Sequence, residues 1–194
     1  MLKQTPEQED SNSKARKMVI GYPFALIFIG MLVNWLAFGF DPISVAMPDK
    51  LGIIGIIIAA VLLLANHTWL MTSTELTRID HGLLTTPEEW AEKNREKADA
   101  AQAGWDALER RHNAHRNTTE NTVYFAILAG LTLLVSPPAY LVLVWSVCFG
   151  VSRLAYTYSY FAANTDLRGI FMSLTLLPLY AMAGYLFVAM MMSF

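Results

Sequence analysis

Charge is scarce in this chain, and cysteine is scarcer. Only 15% of the 194 residues are Asp, Glu, Lys or Arg, 55% are hydrophobic, and the mean hydropathy is +0.38. A soluble domain needs a largely polar surface, so this balance excludes an ordinary soluble globule. Excess positive charge is missing too: 14 Lys and Arg against 16 Asp and Glu leave a net charge of −2, which argues against a nucleic-acid partner. The single cysteine, Cys148, excludes an internal disulfide framework and a cysteine-rich metal centre. Lying in an apolar stretch, it reads as a small core residue. His112 and His115 stand three apart, but neither a second carboxylate nor a cysteine joins them, so they read as interfacial histidines and no metal site is expected.

What the chain does have is long runs without ionisable side chains. Met18 to Phe40 carries none and Leu51 to Thr74 only His67. At about 1.5 Å per residue, each is long enough to cross a hydrocarbon core of about 30 Å. No charge occurs between Glu120 and Arg153, but Ser136-Pro137-Pro138 interrupts that run, and two successive prolines stop a helix and turn it into a hairpin. Gly169 to Phe194 is uncharged again. Five spanning helices are therefore expected, at about 18–40, 51–77, 112–135, 138–162 and 168–192. The chain reads as an all-α integral membrane protein in contact with the lipid bilayer.

Lys14, Arg16 and Lys17 precede the first span, which is too long for a cleaved signal peptide and reads as a retained signal anchor. With the N-terminus in the cytoplasm, twelve of the fourteen Lys and Arg fall on the cytoplasmic side, Lys50 lies outside and Arg153 within the membrane. That asymmetry follows the positive-inside rule and puts the C-terminus on the opposite side, with a bacterial inner membrane as the expected location. Residues 1–17 form a polar cytoplasmic N-terminus, 18–50 the first span and an outer loop, and 51–194 a four-helix membrane domain. Within the last, Thr86, Pro87 and Glu89 carry the signature of a capped helix start, with Ala98, Ala101, Trp105 and Leu108 as an apolar stripe. A cytoplasmic helix over about 87–110, with Glu89 and Lys93 paired on its exposed side, is expected.

A charge inside the bilayer costs about 2.5 to 3.5 kcal/mol on insertion scales, so Arg116, Glu120 and Arg153 need partners or a task. Counted from Pro137, Glu120 is 17 residues back and Arg153 is 16 residues forward, so both reach one depth. A structural ion pair between Glu120 and Arg153 is the expected satisfaction. Asn113, Arg116, Asn117 and Glu120 share one helix face, and Arg153, Tyr156, Thr157 and Tyr160 repeat that spacing on the next helix. Arg78 and Arg168 end and begin flanking helices on the same side. Converging arginines make a pocket for an anionic ligand, although interhelical polar glue is the plainer use of such residues.

The stretch Glu109-Arg110-Arg111-His112-Asn113-Ala114-His115-Arg116-Asn117-Thr118-Thr119-Glu120 resembles the E-R-x-x-x-A-H-x-N-x-x-E signature of the MAPEG superfamily, the membrane-associated proteins of eicosanoid and glutathione metabolism. Arg78 nine residues before Pro87, and Arg153 followed by Ala155, Thr157 and Tyr160, are similar to the branch of microsomal glutathione transferases and prostaglandin E synthases. The resemblance covers roughly residues 60–194 and implies a four-helix MAPEG-like bundle preceded by one extra N-terminal transmembrane helix, assembled as a homotrimer. That extra helix is expected to be dispensable for the fold core. Glutathione would serve as co-substrate, bound between subunits near the cytoplasmic face, with a hydrophobic small molecule as the second substrate.

Carried over by position, the resemblance assigns glutathione contacts to Arg78, Arg116, Asn117, Glu120, Tyr156 and Tyr160, and the catalytic arginine beside the thiol to Arg168. Asn113 stands where that branch has an arginine, Tyr156 where it often has histidine, and Gly169 and Met172 where prostaglandin synthases have serine and tyrosine. These departures argue against prostaglandin synthesis. Two functions follow as expectations: a glutathione-dependent transferase or peroxidase acting on lipophilic electrophiles, or a non-catalytic accessory or assembly subunit that keeps the scaffold.

Overall fold

The computed structural model describes residues 6–194, with side chains from Ser13 onward. Its elements are helices α1 (Pro6–Ala37), α2 (Lys50–His81), α3 (Pro87–Glu92), α4 (Gln102–Leu134), α5 (Ala139–Phe161) and α6 (Thr165–Met191), with one 3₁₀ turn at Lys97–Asp99. No strand occurs among the described residues. Four of these helices are long and apolar enough to cross a membrane: α1 from Ser13, α2, α5 and α6. The fifth expected span, in α4, falls short by composition. Its charge-free part is residues 121–134, about 21 Å of helix; the half before it carries the charged motif.

The hairpin turns where expected. Ser136 takes a left-handed φ of 52° and Pro138 caps α5. Phe125 of α4 and Phe149 of α5 stack at 4.2 Å, nearly parallel, in a core with Leu141, Val142 and Trp145. Glycines on both α2 and α5 let the helices meet: a Cβ at Gly55 of α2 would sit 2.5 Å from Leu143 Cα, and one at Gly150 of α5 would sit 3.0 Å from a Leu62 methyl. Close backbone approach of this kind is how membrane helices gain packing energy when lipid offers no hydrophobic drive.

The expected single helix over about 87–110 is in fact two pieces. Thr86 Oγ1 accepts from Glu89 N at 3.4 Å, while the Glu89 carboxylate accepts from Thr85 N at 2.8 Å, one residue beyond the N-cap N–H that an ordinary capping box uses. Glu89 is thereby spent on the cap rather than on Lys93. Six residues on, Lys93 ends the helix and Asn94 turns at φ 50°, a conformation asparagine tolerates and a helix cannot contain. The chain restarts as α4 at Gln102. Trp90 is buried, donates to Leu84 O at 3.2 Å and stacks with Trp105 at 6.2 Å, folding the connector onto α4.

The first helix is not loosely attached. Asn34 is fully buried, donates to Ala181 O of α6 at 2.7 Å and accepts from Trp145 Nε1 of α5 at 2.8 Å. Tyr22 donates to Ser173 Oγ at 2.7 Å, Gly30 lies against the Ala181 backbone, and Phe40, just past α1, stacks on Tyr185 at 5.7 Å. An amide with both ends bonded in an apolar interior fixes position along and around the helix. These bonds tie α1 to α5 and α6. Within α6, Pro178 leaves the Leu174 carbonyl without its helical donor, and the Ser152 hydroxyl of α5 lies 3.2 Å from that oxygen.

Candidate functional site

Helix α4 turns the stripe Ala114, Thr118, Asn121 and Phe125 into the bundle. Arg153 of α5 is fully buried against it: Nη1 donates to Asn117 Oδ1 at 3.0 Å, Nη2 donates to Thr118 Oγ1 at 2.6 Å, and the guanidinium lies 4.4 Å over the Tyr156 ring. The expected ion pair with Glu120 is absent. Two residues of helix turn Glu120 about 200° away from Thr118, leaving it on the exposed outer face of α4. Neutral oxygens and an aromatic ring replace the carboxylate. Asn66 on α2, and Thr157 Oγ1 and Arg153 Nε on α5, are buried and find no hydrogen-bond partner among the described residues.

At the charged end of the bundle, α4 and the α5–α6 junction enclose a cleft of about 390 Å³. Asp106, Glu109, Arg110 and Asn113 line it from α4, at i, i+3, i+4 and i+7. The opposite wall is Tyr160, Ala163, Thr165 and Arg168. The junction is sharp because Ala163 adopts φ 53° and Asn164 caps α6, its Oδ1 accepting from Leu167 N at 3.0 Å. That places Arg168 in the first turn of α6, its guanidinium 5.0 Å over the Tyr160 ring. Tyr160 in turn meets Tyr156 edge-on at 5.1 Å. A continuous ladder of Arg153, Tyr156, Tyr160 and Arg168 thus runs from the buried core to the cleft, each cation on a ring face.

The assigned residues separate into three groups. Tyr160 and Arg168 meet in the cleft beside Asn113, and Tyr156 stands behind them. Asn117 is engaged by Arg153. Arg116 and Glu120 face outward from the subunit, and Arg78 lies at the end of α2, with Nε 3.6 Å from Glu75 and Nη2 3.5 Å from His112 Nε2. His115 packs against the His67 ring at 5.4 Å.

Sequence reasoning missed Asp106, Glu109 and Arg110 as wall residues, although their spacing with Asn113 already put all four on one face. It also missed Arg111, whose Nε donates to Ser73 O at 3.1 Å and so ties α4 to α2. Its guanidinium lies 5.3 Å from the Phe161 ring.

Comparison with known proteins agrees with the motif. The MAPEG family profile matches residues 56–188, more than half of the chain. No curated protein and no solved structure matches it. The matched region starts inside α2 and leaves α1 outside.

Proposed function

The chain belongs to the MAPEG family, and on that premise we propose that it is a glutathione-dependent membrane transferase or peroxidase acting on lipophilic electrophiles. The observation that carries the reading is Arg168 over Tyr160 in an open, charge-lined cleft at the junction of polar and apolar helix segments. A thiol titrates near pH 8.5, and an adjacent cation lowers that value and raises the thiolate fraction at neutral pH. Arg168 would hold the glutathione sulfur as thiolate, with the Tyr160 hydroxyl close by. The thiolate would attack an electrophilic carbon of a substrate dissolved in the bilayer, forming a C–S bond as the leaving group departs. Asn113 and Arg110 would orient the peptide.

In this reading Arg78, Arg116 and Glu120, which do not line the cleft of their own subunit, are presented to a neighbouring copy, and the assembly is a homotrimer with glutathione between subunits. Arginines there would hold the glutathione carboxylates. We place the protein in a bacterial inner membrane with the N-terminus cytoplasmic, which puts the cleft where cytosolic glutathione is. The extra helix and the Asn117–Arg153 bond, which turns a motif residue to packing, favour the second reading, a non-catalytic scaffold or assembly subunit.

The test is ultraviolet thiolate absorbance on adding glutathione to the detergent-solubilised protein. Wild type should develop the thiolate band, while Arg168→Leu should bind glutathione within about tenfold, lack the band and turn over a model electrophile slowly. Binding without a thiolate band in wild type would favour the scaffold reading. No binding at millimolar glutathione would remove the enzyme.

A further inference from the structure

We infer that the segment joining α1 to α2 is a lipid-binding strap, whose Ile43, Val45 and Met47 enter the boundary between headgroups and acyl chains at the bundle end opposite the charged motif. Pro42 and Pro48 bracket the segment, and each fixes its own φ and biases the residue before it to extended backbone. Residues 39–49 accordingly run without a helical turn or a bend. In an extended chain every second side chain falls on the same side, so Ile43, Val45 and Met47 share one face and Ser44 and Ala46 the other. Phe38 and Phe40, just before the strap, turn inward onto Trp145 and Tyr185. The three aliphatic side chains do not: Ile43, Val45 and Met47 are 39%, 83% and 90% exposed.

Two contacts fix where the strap lies. Near its start, Ile43 N donates to Ser193 Oγ at 2.8 Å, just past the end of α6. Its far end reaches the α4–α5 turn, where Met47 and Asp49 share a cavity of about 80 Å³ with Leu133, Pro137 and Pro138. The strap therefore crosses the bundle at the level where the spanning helices stop. Trp35 in the last turn of α1 and Tyr140 in the first turn of α5 are exposed at that level, as aromatic side chains are where membrane spans meet the interface. Leu36, Met191 and Met192 are exposed there too, so the apolar face of the strap continues the lipid-facing surface of the spans. Residues 33–56, 128–148 and 185–194 build this end, and their only charged side chains are Asp41, Asp49 and Lys50. The backbone sets the depth: its peptide groups lack helical or strand partners and must stay among hydrated headgroups, while the side chains reach the acyl boundary.

The experiment is spin-label accessibility in the full-length protein reconstituted into phosphatidylcholine vesicles. Cys148→Ala removes the native thiol, and Ser44→Cys, Val45→Cys, Ala46→Cys and Met47→Cys, one at a time, each carry a nitroxide. Electron paramagnetic resonance then compares collisions with oxygen, which concentrates in lipid, and with a water-soluble nickel chelate. The oxygen-to-nickel ratio should be severalfold higher at positions 45 and 47 than at 44 and 46. The label is the same at all four positions, so its own affinity for lipid cancels in the comparison. Melting temperatures check the fold, and a Cys148→Ser background repeats the readout should alanine at 148 loosen the packing. Ready access of the nickel chelate at all four positions would put the strap in water and overturn the inference. Protection of 45 and 47 from both reagents would overturn it in favour of a protein partner or a second copy of this chain, and an oxygen excess at all four would overturn the one-sided placement.

Discussion

Arg153 and Thr118 are bonded at 2.6 Å inside the bundle, where both are buried and, among the described residues, no carboxylate pairs with the guanidinium. A charge held by neutral oxygens depends on each of them, because removing one leaves a buried N–H unsatisfied. Thr118→Val should therefore destabilise the protein by about 1 to 3 kcal/mol. Glu120→Gln, on the outer face, should leave the melting temperature of the isolated subunit unchanged. Thermal melts in detergent decide the matter: equal losses for the two variants would mean that Glu120 does support Arg153.

Asn34 makes the corresponding bond between the extra helix and the family core. Asn34→Leu removes a donor to Ala181 O and an acceptor from Trp145 Nε1, and the stranded indole N–H adds to the loss. The expected cost is about 1 to 2 kcal/mol, since hydrogen bonds between membrane helices are individually modest. Proteolytic release of α1, with a shift in tryptophan fluorescence, should report it. Unchanged protease resistance would show that the Gly30 and Phe40 contacts suffice.

Two glycines make a paired test of packing. Gly55→Ala would place a Cβ 2.5 Å from the Leu143 backbone, so α2 and α5 must separate. Gly130→Ala meets nothing within 4 Å and sits inside α4, where alanine is favoured by about 1 kcal/mol. Size-exclusion profiles and melts should show the first variant strongly destabilised and the second neutral or stabilised. Reversal of that order would refute the close α2–α5 contact.

Thr86 caps α3, and its loss should cost that short helix about 1 kcal/mol. The same hydroxyl helps hold the exposed Glu88 carboxyl below its ordinary range, after a backbone hydrogen bond as the larger cause. A depressed folded-state value gives stability above the ordinary carboxylate range that is lost as pH falls through the lowered value. Thr86→Ala should move the Glu88 titration part of the way back up, measurable by NMR. A titration that does not move would assign the whole depression to the backbone.

Much of this protein was readable from residue order alone. Missing charge located the apolar helices, Pro137 and Pro138 marked the hairpin, and Thr86-Pro87 the start of α3, because each is a local property of the chain. The motif from Glu109 to Glu120 pointed to the MAPEG family, which the profile match bears out. What only the tertiary structure decided was direction around each helix. Asn113, Arg116, Asn117 and Glu120 span a face wide enough that periodicity cannot say which edge meets α5; packing chose the Asn117 and Thr118 edge and left Glu120 outside. The same limit hid Asn34, for in a membrane protein both lipid and core are apolar, so hydrophobic patterning does not separate the buried face from the exposed one. The break at Asn94 likewise came from its left-handed turn and the docking of Trp90, interactions that no helical period records.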